Sequence, residues 1–280
     1  MPTALCDGIE TRYEVRGDGP PILLFSPGGF NGQLENWWTF GIYERLRLVD
    51  ELSRSFTCIV FDKRESGQSG GRVERLTWQA YAAQGASLLD HLGIERAHVL
   101  GGCIGCSIAI TLAADAPERV DRLVLYSPAG GPRYRLTQQR RFAEHLAFVA
   151  ESGLAGVVDL ARRSDESFAQ DPRVGPWVSV LRLDDSFAAA YADGDAETYR
   201  ALVDDTAAAL FDRDTVPGPA AERLLALARP ALVVPGDDPN HAQSAAHYLR
   251  ECLAAELWNV PPDEQSAANA PGRVLEFLQE

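Results

Sequence analysis

Four short apolar runs punctuate the first half of the chain, each ending in small or charged residues. Ile22-Leu23-Leu24-Phe25 stops at Ser26-Pro27-Gly28-Gly29, and Cys58-Ile59-Val60-Phe61 stops at Asp62-Lys63-Arg64. His98-Val99-Leu100 ends at Gly101-Gly102, and Leu123-Val124-Leu125-Tyr126 at Ser127-Pro128. Runs of this length between turn residues read as strands buried on both faces. Helical patterns lie between them. One falls near Tyr43 to Leu52. A second runs from Thr77 to Leu92, with Thr77 as N-cap and Gly93 as the terminating glycine. A third covers Ile104 to Ala114 and stops before Pro117. A weaker alternation, Ile9 to Val15, ends at the turn Gly17-Asp18-Gly19-Pro20. Strands alternating with helices predict a parallel sheet with right-handed crossovers.

From about residue 131 to 219 the rhythm changes to helical patterns rich in acids, with no strand signal. It returns at Ala231-Leu232-Val233-Val234, followed by Gly236-Asp237-Asp238. A helix from His241 to Ala254, a strand from Ala255 to Val260 and a helix from Pro271 to Gln279 complete the pattern. The expected organisation is one α/β domain, residues 1–130 and 220–280, interrupted by a helical insertion at 131–219. No internal repeat or low-complexity linker is present.

Composition narrows the function. The chain has 280 residues, 46% of them apolar and 24% charged, which is ordinary for a globular domain. Acidic residues outnumber basic ones, 40 to 26, for a net charge of −14. Such a surface argues against nucleic acid and against anionic membranes. An anionic substrate would need a local basic exception, and Lys63 is the only lysine. A neutral or weakly polar small molecule is therefore expected as substrate. The N-terminus shows no basic leader or apolar run, and no stretch approaches the ~18 apolar residues of a membrane span. Five cysteines, an odd number, argue for reduced thiols and a cytoplasmic setting. Oligomeric state stays open, a homodimer included.

The stretch Gly101-Gly102-Cys103-Ile104-Gly105 carries the chemistry. It follows a predicted strand and opens a predicted helix. Glycines on both sides allow a turn sharp enough to hold the central residue in a strained conformation. Cys103 would stand above the strand ends at a helix N-terminus, whose dipole favours a thiolate. Read alone, the same residues also fit a glycine-rich βα turn around a small buried side chain.

With its strand–turn–helix context, this elbow resembles the G-x-Ser-x-G of the α/β-hydrolase superfamily. Phe61-Asp62-Lys63-Arg64-Glu65-Ser66-Gly67-Gln68-Ser69 resembles that family's D-x-R-G-x-G-x-S loop, with Glu65 in place of a glycine. Ser26-Pro27-Gly28-Gly29-Phe30 stands where the family has its oxyanion loop, with Ser26-Pro27 replacing His-Gly. The resemblance runs from about Gly19 to Gly130 and again from Ala231 to the end. It implies an α/β-hydrolase fold, a mostly parallel central sheet flanked by helices, with 131–219 as a helical cap. It also implies an oxyanion hole from the backbone N–H groups of Ile104 and of Gly28 or Gly29, and a catalytic triad without a cofactor.

Two departures matter. The nucleophile is Cys103 rather than serine, as in the minority of members such as dienelactone hydrolases. The loop Val260-Pro261-Pro262-Asp263-Glu264-Gln265-Ser266, where the family carries its histidine base, has no histidine. Of the five histidines, His91 and His98 lie on the scaffold side, and His145 lies in the insertion near Phe142 and Phe148. His241 follows the strand ending at Asp237-Asp238, on the sheet edge where α/β sites form, and is the candidate base. His247, further along the next helix, is weaker. Asp238 is the candidate acid, with Asp237 second, although Asp238 and His241 are too close in sequence for a comfortable pair within a helix. Cys103-Ile104-Gly105-Cys106 is formally a C-x-x-C, but the elbow glycines explain it better than redox chemistry does. Zinc lacks a second ligand pair, so no metal is expected. Trp37 and Trp38 suit core packing. Arg64 and Glu65 suit either the site rim or a surface ion pair.

These residues predict a cysteine-dependent hydrolase that cleaves or transfers the acyl group of a small ester, thioester or lactone through an acyl-enzyme on Cys103. The missing loop histidine keeps open a non-hydrolytic enzyme of the same fold, such as a lyase, C–C bond-cleaving enzyme or cyclase. A binding module that kept the fold without the chemistry is the third possibility.

Overall fold

The computed structural model describes residues 1–280. Eight strands form one sheet: β1 Thr3–Cys6, β2 Ile9–Arg16, β3 Pro21–Phe25, β4 Thr57–Phe61, β5 Ala97–Gly102, β6 Val120–Tyr126, β7 Ala231–Val234 and β8 Glu256–Leu257. Their order is β1-β2-β4-β3-β5-β6-β7-β8. β1 and β2 pair antiparallel, as do β2 and β4, while every pair from β4 to β8 is parallel. The parallel α/β sheet expected from the apolar runs is therefore present, in the α/β-hydrolase arrangement that the resemblance implies. Ile22, Leu23, Ile59, Val60, Val99, Leu100, Val124 and Leu125 are fully buried. Each such side chain removed from water contributes roughly 1.5–3 kcal/mol, so the runs at the sheet centre dominate the fold.

Helices Trp78–His91 and Gly105–Asp115 pack against each other beside the sheet, and Leu48–Leu52 packs against Ala270–Gln279. Thr77 caps its helix as expected, its Oγ1 accepting from Ala80 N–H at 3.1 Å. The single helix expected from Tyr43 to Leu52 is two short ones, Ile42–Leu46 and Leu48–Leu52, because Arg47 between them takes a left-handed φ of 53°. β1 was not anticipated, since four residues carry too little alternation. β8 spans two residues rather than the expected Ala255 to Val260. No helix is long and apolar enough to cross a membrane.

Between β6 and β7 the chain is helical: Pro132–Arg163, bent at Gly153, then Val178–Leu183, Asp185–Ala192 and Ala196–Leu210. These helices share an aromatic core. Phe142 meets Phe168 edge-on at 5.2 Å between ring centres, and Tyr199 meets Trp177 and Tyr191 in the same way. Phe30, from the loop after β3, reaches both Phe142 and Phe168, at 5.5 and 5.2 Å. That contact seats the helical segment over the loops at the C-terminal ends of the strands.

The strand order also locates the site. β3 lies between β4 and β5, so the chain moves one way from β3 to β4 and the other way to β5. Loops leaving β3 and β5 diverge there, opening a crevice at the carboxyl edge of the sheet. The Gly28-Gly29 turn follows β3, and Cys103 follows β5.

Candidate active site

Cys103 holds a left-handed backbone conformation, φ 55°. Non-glycine residues adopt this region rarely and at a cost, so its persistence here means that the surroundings enforce it. The enforcement is visible. Cys103 N–H donates to Tyr126 C=O at 3.0 Å, and Ala129 N–H donates to Cys103 C=O at 3.2 Å. A Cβ at Gly101 would stand 2.4 Å from Gly105 C=O, and one at Gly105 would stand 2.2 Å from Phe25 C=O. The tight packing of turn on strand thus requires both glycines, and the Cys103 side chain is left at the edge of the crevice.

The loop after β3 wraps the same point. Buried Asn36 donates its side-chain N–H to Pro27 C=O at 2.7 Å and to Asn31 C=O at 2.6 Å. This clamp holds Gly28, whose φ is 115°, beside the sulphur. The amides of Ile104 and Gly28 face Cys103 Sγ and favour its charged form. Of the two glycines expected to supply an N–H, Gly28 acts on the sulphur, and both line the cleft.

His241 completes the cluster. Its Nε2 lies 3.1 Å from Cys103 Sγ, and its Nδ1 lies 2.7 Å from Asp238 Oδ2. The expected helix beginning at His241 instead starts at Gln243. Residues 238–241 form a tight turn in which Asp238 Oδ1 accepts from Asn240 N–H at 2.7 Å and His241 N–H at 3.1 Å. This turn resolves the spacing problem: outside a helix, the carboxylate and the imidazole three residues on can meet. Gly130 N–H donates to Asn240 C=O at 3.0 Å, which ties the turn to the segment after β6 and holds the ring over Cys103. Gly236 makes this fit possible, since a Cβ there would sit 2.5 Å from His241 Cβ.

The electrostatics follow from the contacts. Burial pushes the Cys103 thiol up, but the adjacent His241 and the Ile104 and Gly28 amides outweigh it, leaving the thiol below its ordinary value. Burial pushes His241 down, but Cys103 and Asp238 outweigh it and lift the imidazole to about 9. Asp238 is held below the usual carboxylate range because its His241 and turn hydrogen bonds exceed the cost of burial. Opposite shifts on a contacting thiol and imidazole both favour the thiolate–imidazolium pair over the neutral one.

The cleft around Cys103 has a volume of about 140 Å³, walled by Gly28, Gly29, Phe30, Phe40, Tyr134, Gln138, Arg141, Phe168, Asn240 and His241. Tyr134, Gln138 and Arg141 recur at i, i+4 and i+7, so one face of the helix after β6 supplies them. That spacing is readable in the sequence, but which face turns toward Cys103 is not.

Other expectations resolve differently. The loop after β8 lends no residue to this cleft. Instead Gln265 accepts a hydrogen bond from Tyr126 Oη and donates to Val260 C=O at 2.7 Å. His145 is buried among the insertion's aromatics, bonded to Tyr199 Oη at 2.6 Å and pushed by burial to about 4. His247 is exposed on its helix. Asp237 is bypassed in favour of Asp238. Arg64 and Glu65 are neither rim nor surface: both are fully buried, with Arg64 Nε 2.9 Å from Glu65 Oε1 and a further pair to Glu74. Trp37 is in the core, and Trp38 donates to Asp50 at 2.9 Å. Cys106 Sγ points at Gly101 C=O, 3.1 Å away, and burial pushes its thiol well up.

A sequence profile described as the alpha/beta hydrolase fold matches residues 20–172, more than half of the chain. The chain belongs to the α/β-hydrolase fold family. One curated relative is the dihydrolipoyllysine-residue acetyltransferase component of the acetoin cleaving system of Cupriavidus necator. It is 39% identical over 124 residues, 44% of this chain. That match spans about a third of the relative's own length, 31%. Among solved structures, the enol-lactonase of Burkholderia xenovorans LB400 superposes with a TM-score of 0.64 at 22% identity, covering all of both chains. A hydrolase from Pseudomonas aeruginosa PA01 gives 0.64 at 24% identity, covering 100% of this chain and 98% of the other. These two likenesses reinforce the α/β-hydrolase fold. Among the family motifs, the Asp62 loop is scaffold. Asp62 accepts from Leu34 N–H at 2.8 Å and Gln68 N–H at 2.7 Å and pairs with Arg12 at 3.2 Å.

Proposed function

We propose that this α/β-hydrolase is a cysteine-dependent acyl hydrolase acting on a small ester, thioester or lactone. The observation that carries this reading is the chain of contacts Cys103 Sγ–His241 Nε2–Asp238 Oδ2, at 3.1 and 2.7 Å, beside two backbone amides. In this reading Cys103, His241 and Asp238 are nucleophile, base and orienting acid. Residues 131–219 act as a cap over the cleft.

The thiolate attacks the carbonyl carbon and forms a C–S bond. The Ile104 N–H and the Gly28-Gly29 turn would hold the oxyanion, an arrangement worth roughly 3–4 kcal/mol per donor in other acyl-transfer enzymes. As the oxyanion collapses, His241 gives its Nε2 proton to the departing oxygen or sulphur, leaving an acyl-thioester on Cys103. Neutral His241 then takes a proton from water, which attacks the thioester. Collapse of the second oxyanion expels the thiolate beside imidazolium, so the resting pair is restored with the acid released. Asp238 holds the imidazole by Nδ1 throughout. The contact of His241 with the thiol favours hydrolysis over a non-hydrolytic reaction, because it supplies the base that the loop after β8 lacks.

The test is a single-turnover reaction with a 4-nitrophenyl ester, read by intact-protein mass spectrometry. A mass increase on Cys103 that decays in wild type and persists in Asp238→Asn supports the reading. Nitrophenolate release undiminished in Cys103→Ala would overturn it.

A further inference from the structure

Past Phe30 the cleft is adjoined by a small cavity of about 20 Å³, lined by Gly29, Phe30, Lys63, Trp78, Tyr81, Ile104, Tyr134 and Gln138 among others. Gly29, Phe30, Tyr134 and Gln138 line both spaces, so the cavity adjoins the Cys103 cleft. Its walls are mostly apolar, yet three of its lining residues carry hydrogen-bond donors. Lys63 is 6% exposed, Trp78 5% and Tyr81 2%. Trp78 Nε1 and Tyr81 Oη are buried with no hydrogen-bond partner in the protein. Lys63 Nζ forms no ion pair and rests against ring faces, 4.1 Å from the centre of Tyr81 and 5.2 Å from that of Phe30.

This is an unusual expense in a chain with 40 acidic residues and one lysine. A buried ammonium normally finds a carboxylate, because ring faces replace only part of its hydration. The nearest acid acting on it is Glu65, which is taken by Arg64 Nε at 2.9 Å. A Cβ at Gly32 would lie 3.2 Å from Lys63 Cε, so the lysine stem is packed in place.

We propose that Lys63, Trp78 and Tyr81 form a carboxylate subsite, so that the acyl group delivered to Cys103 bears a second carboxylate. The linking methylenes would lie in the Cys103 cleft against Phe30 and Tyr134, and the three donors would meet the two oxygens at its inner end. The direction follows from the lining. His241 and Asn240 border only the outer cleft, where the leaving group must receive its proton, so the inner cavity takes the acyl side. The subsite is the local basic exception an acidic chain requires, and it replaces the neutral substrate expected from composition. It rests on the acyl-hydrolase reading and deepens it.

Calorimetric titration of Cys103→Ala with monomethyl glutarate and with methyl pentanoate, which has no carboxylate, separates binding from turnover. The glutarate half-ester is expected to bind at least ~10-fold more tightly, the effect of hydrogen bonds to a charged group. Adding Lys63→Met should abolish that preference. Tyr81→Phe keeps the ring and should reduce it ~3-fold or more. Equal binding of the half-ester and the neutral ester, or a preference that survives Lys63→Met, would overturn the subsite. A parallel arm compares kcat/KM of wild type for the 4-nitrophenyl half-ester of glutarate and for 4-nitrophenyl pentanoate. Glutarate preference in binding with turnover of neither ester would retain the subsite and sink the hydrolase reading. Turnover of both at equal kcat/KM would do the reverse.

Discussion

His241 Nδ1 lies 2.7 Å from Asp238 Oδ2 although only two residues separate them in the chain. The pair exists because the turn at 238–241 is not helical and because Asp238 uses its other oxygen to hold that turn. One carboxylate therefore shapes the loop and orients the ring. Asp238→Asn should lower kcat/KM by ~10²–10⁴-fold, the range seen when a triad acid loses its charge. It should also lower the His241 pKa, because Asp238 raises it. NMR titration of the imidazole beside steady-state kinetics checks both.

The thiol provides an independent reading. His241 is the charge that pulls Cys103 down against burial. Iodoacetamide alkylation of wild type should inflect below the free-thiol value of ~8.5. In His241→Gln the inflection should move above that value, since burial then acts with less opposition. Peptide mass spectrometry across pH resolves the two curves, and superimposable curves would refute the ion pair.

Activity should follow a bell in pH. On the acid side it rises as Cys103 becomes thiolate, below the ordinary thiol range. On the alkaline side it falls as His241, lifted to about 9, loses the proton that the leaving group needs. Stopped-flow acylation rates from pH 5 to 11 test the alkaline limb, which should vanish with a leaving group of low basicity such as 4-nitrophenolate.

Gly236→Ala isolates positioning from chemistry. Its Cβ would meet His241 Cβ at 2.5 Å, so the imidazole must move. A displacement near 1 Å can cost ~10²-fold in rate, with little change in thermal stability because position 236 belongs to the loop rather than the core. Kinetics with melting curves distinguish this from unfolding.

Gly105→Ala should behave differently. Its Cβ would press on Phe25 C=O at 2.2 Å, between the elbow helix and β3. Overpacking of this kind costs ~1–3 kcal/mol or more, so the melting temperature should fall by at least ~3 °C.

The sheet was legible in the sequence because Ile22 to Phe25, Cys58 to Phe61 and Leu123 to Tyr126 are apolar on both faces, a pattern with few alternatives. Cys103 was legible because its glycines are a local requirement. The Asp238–His241 contact was harder. Local pattern extended the helix back to His241, and the tie that prevents this, Gly130 N–H to Asn240 C=O, joins residues 110 positions apart. Lys63 directly follows the strand end at Phe61-Asp62. Its burial depends on Phe30 from one loop and on the helix that carries Trp78 and Tyr81, two distant segments that no window of sequence displays together.

Base and acid riding on a single turn have a mechanical consequence. In an arrangement split between two loops, any shift of one strand end against the other stretches the imidazole–carboxylate contact. Here three peptide units set that separation, so the two groups travel as one body and only their distance to Cys103 is adjustable. The two-residue β8 and the loop behind it are correspondingly free to change length or shape without detuning the proton path.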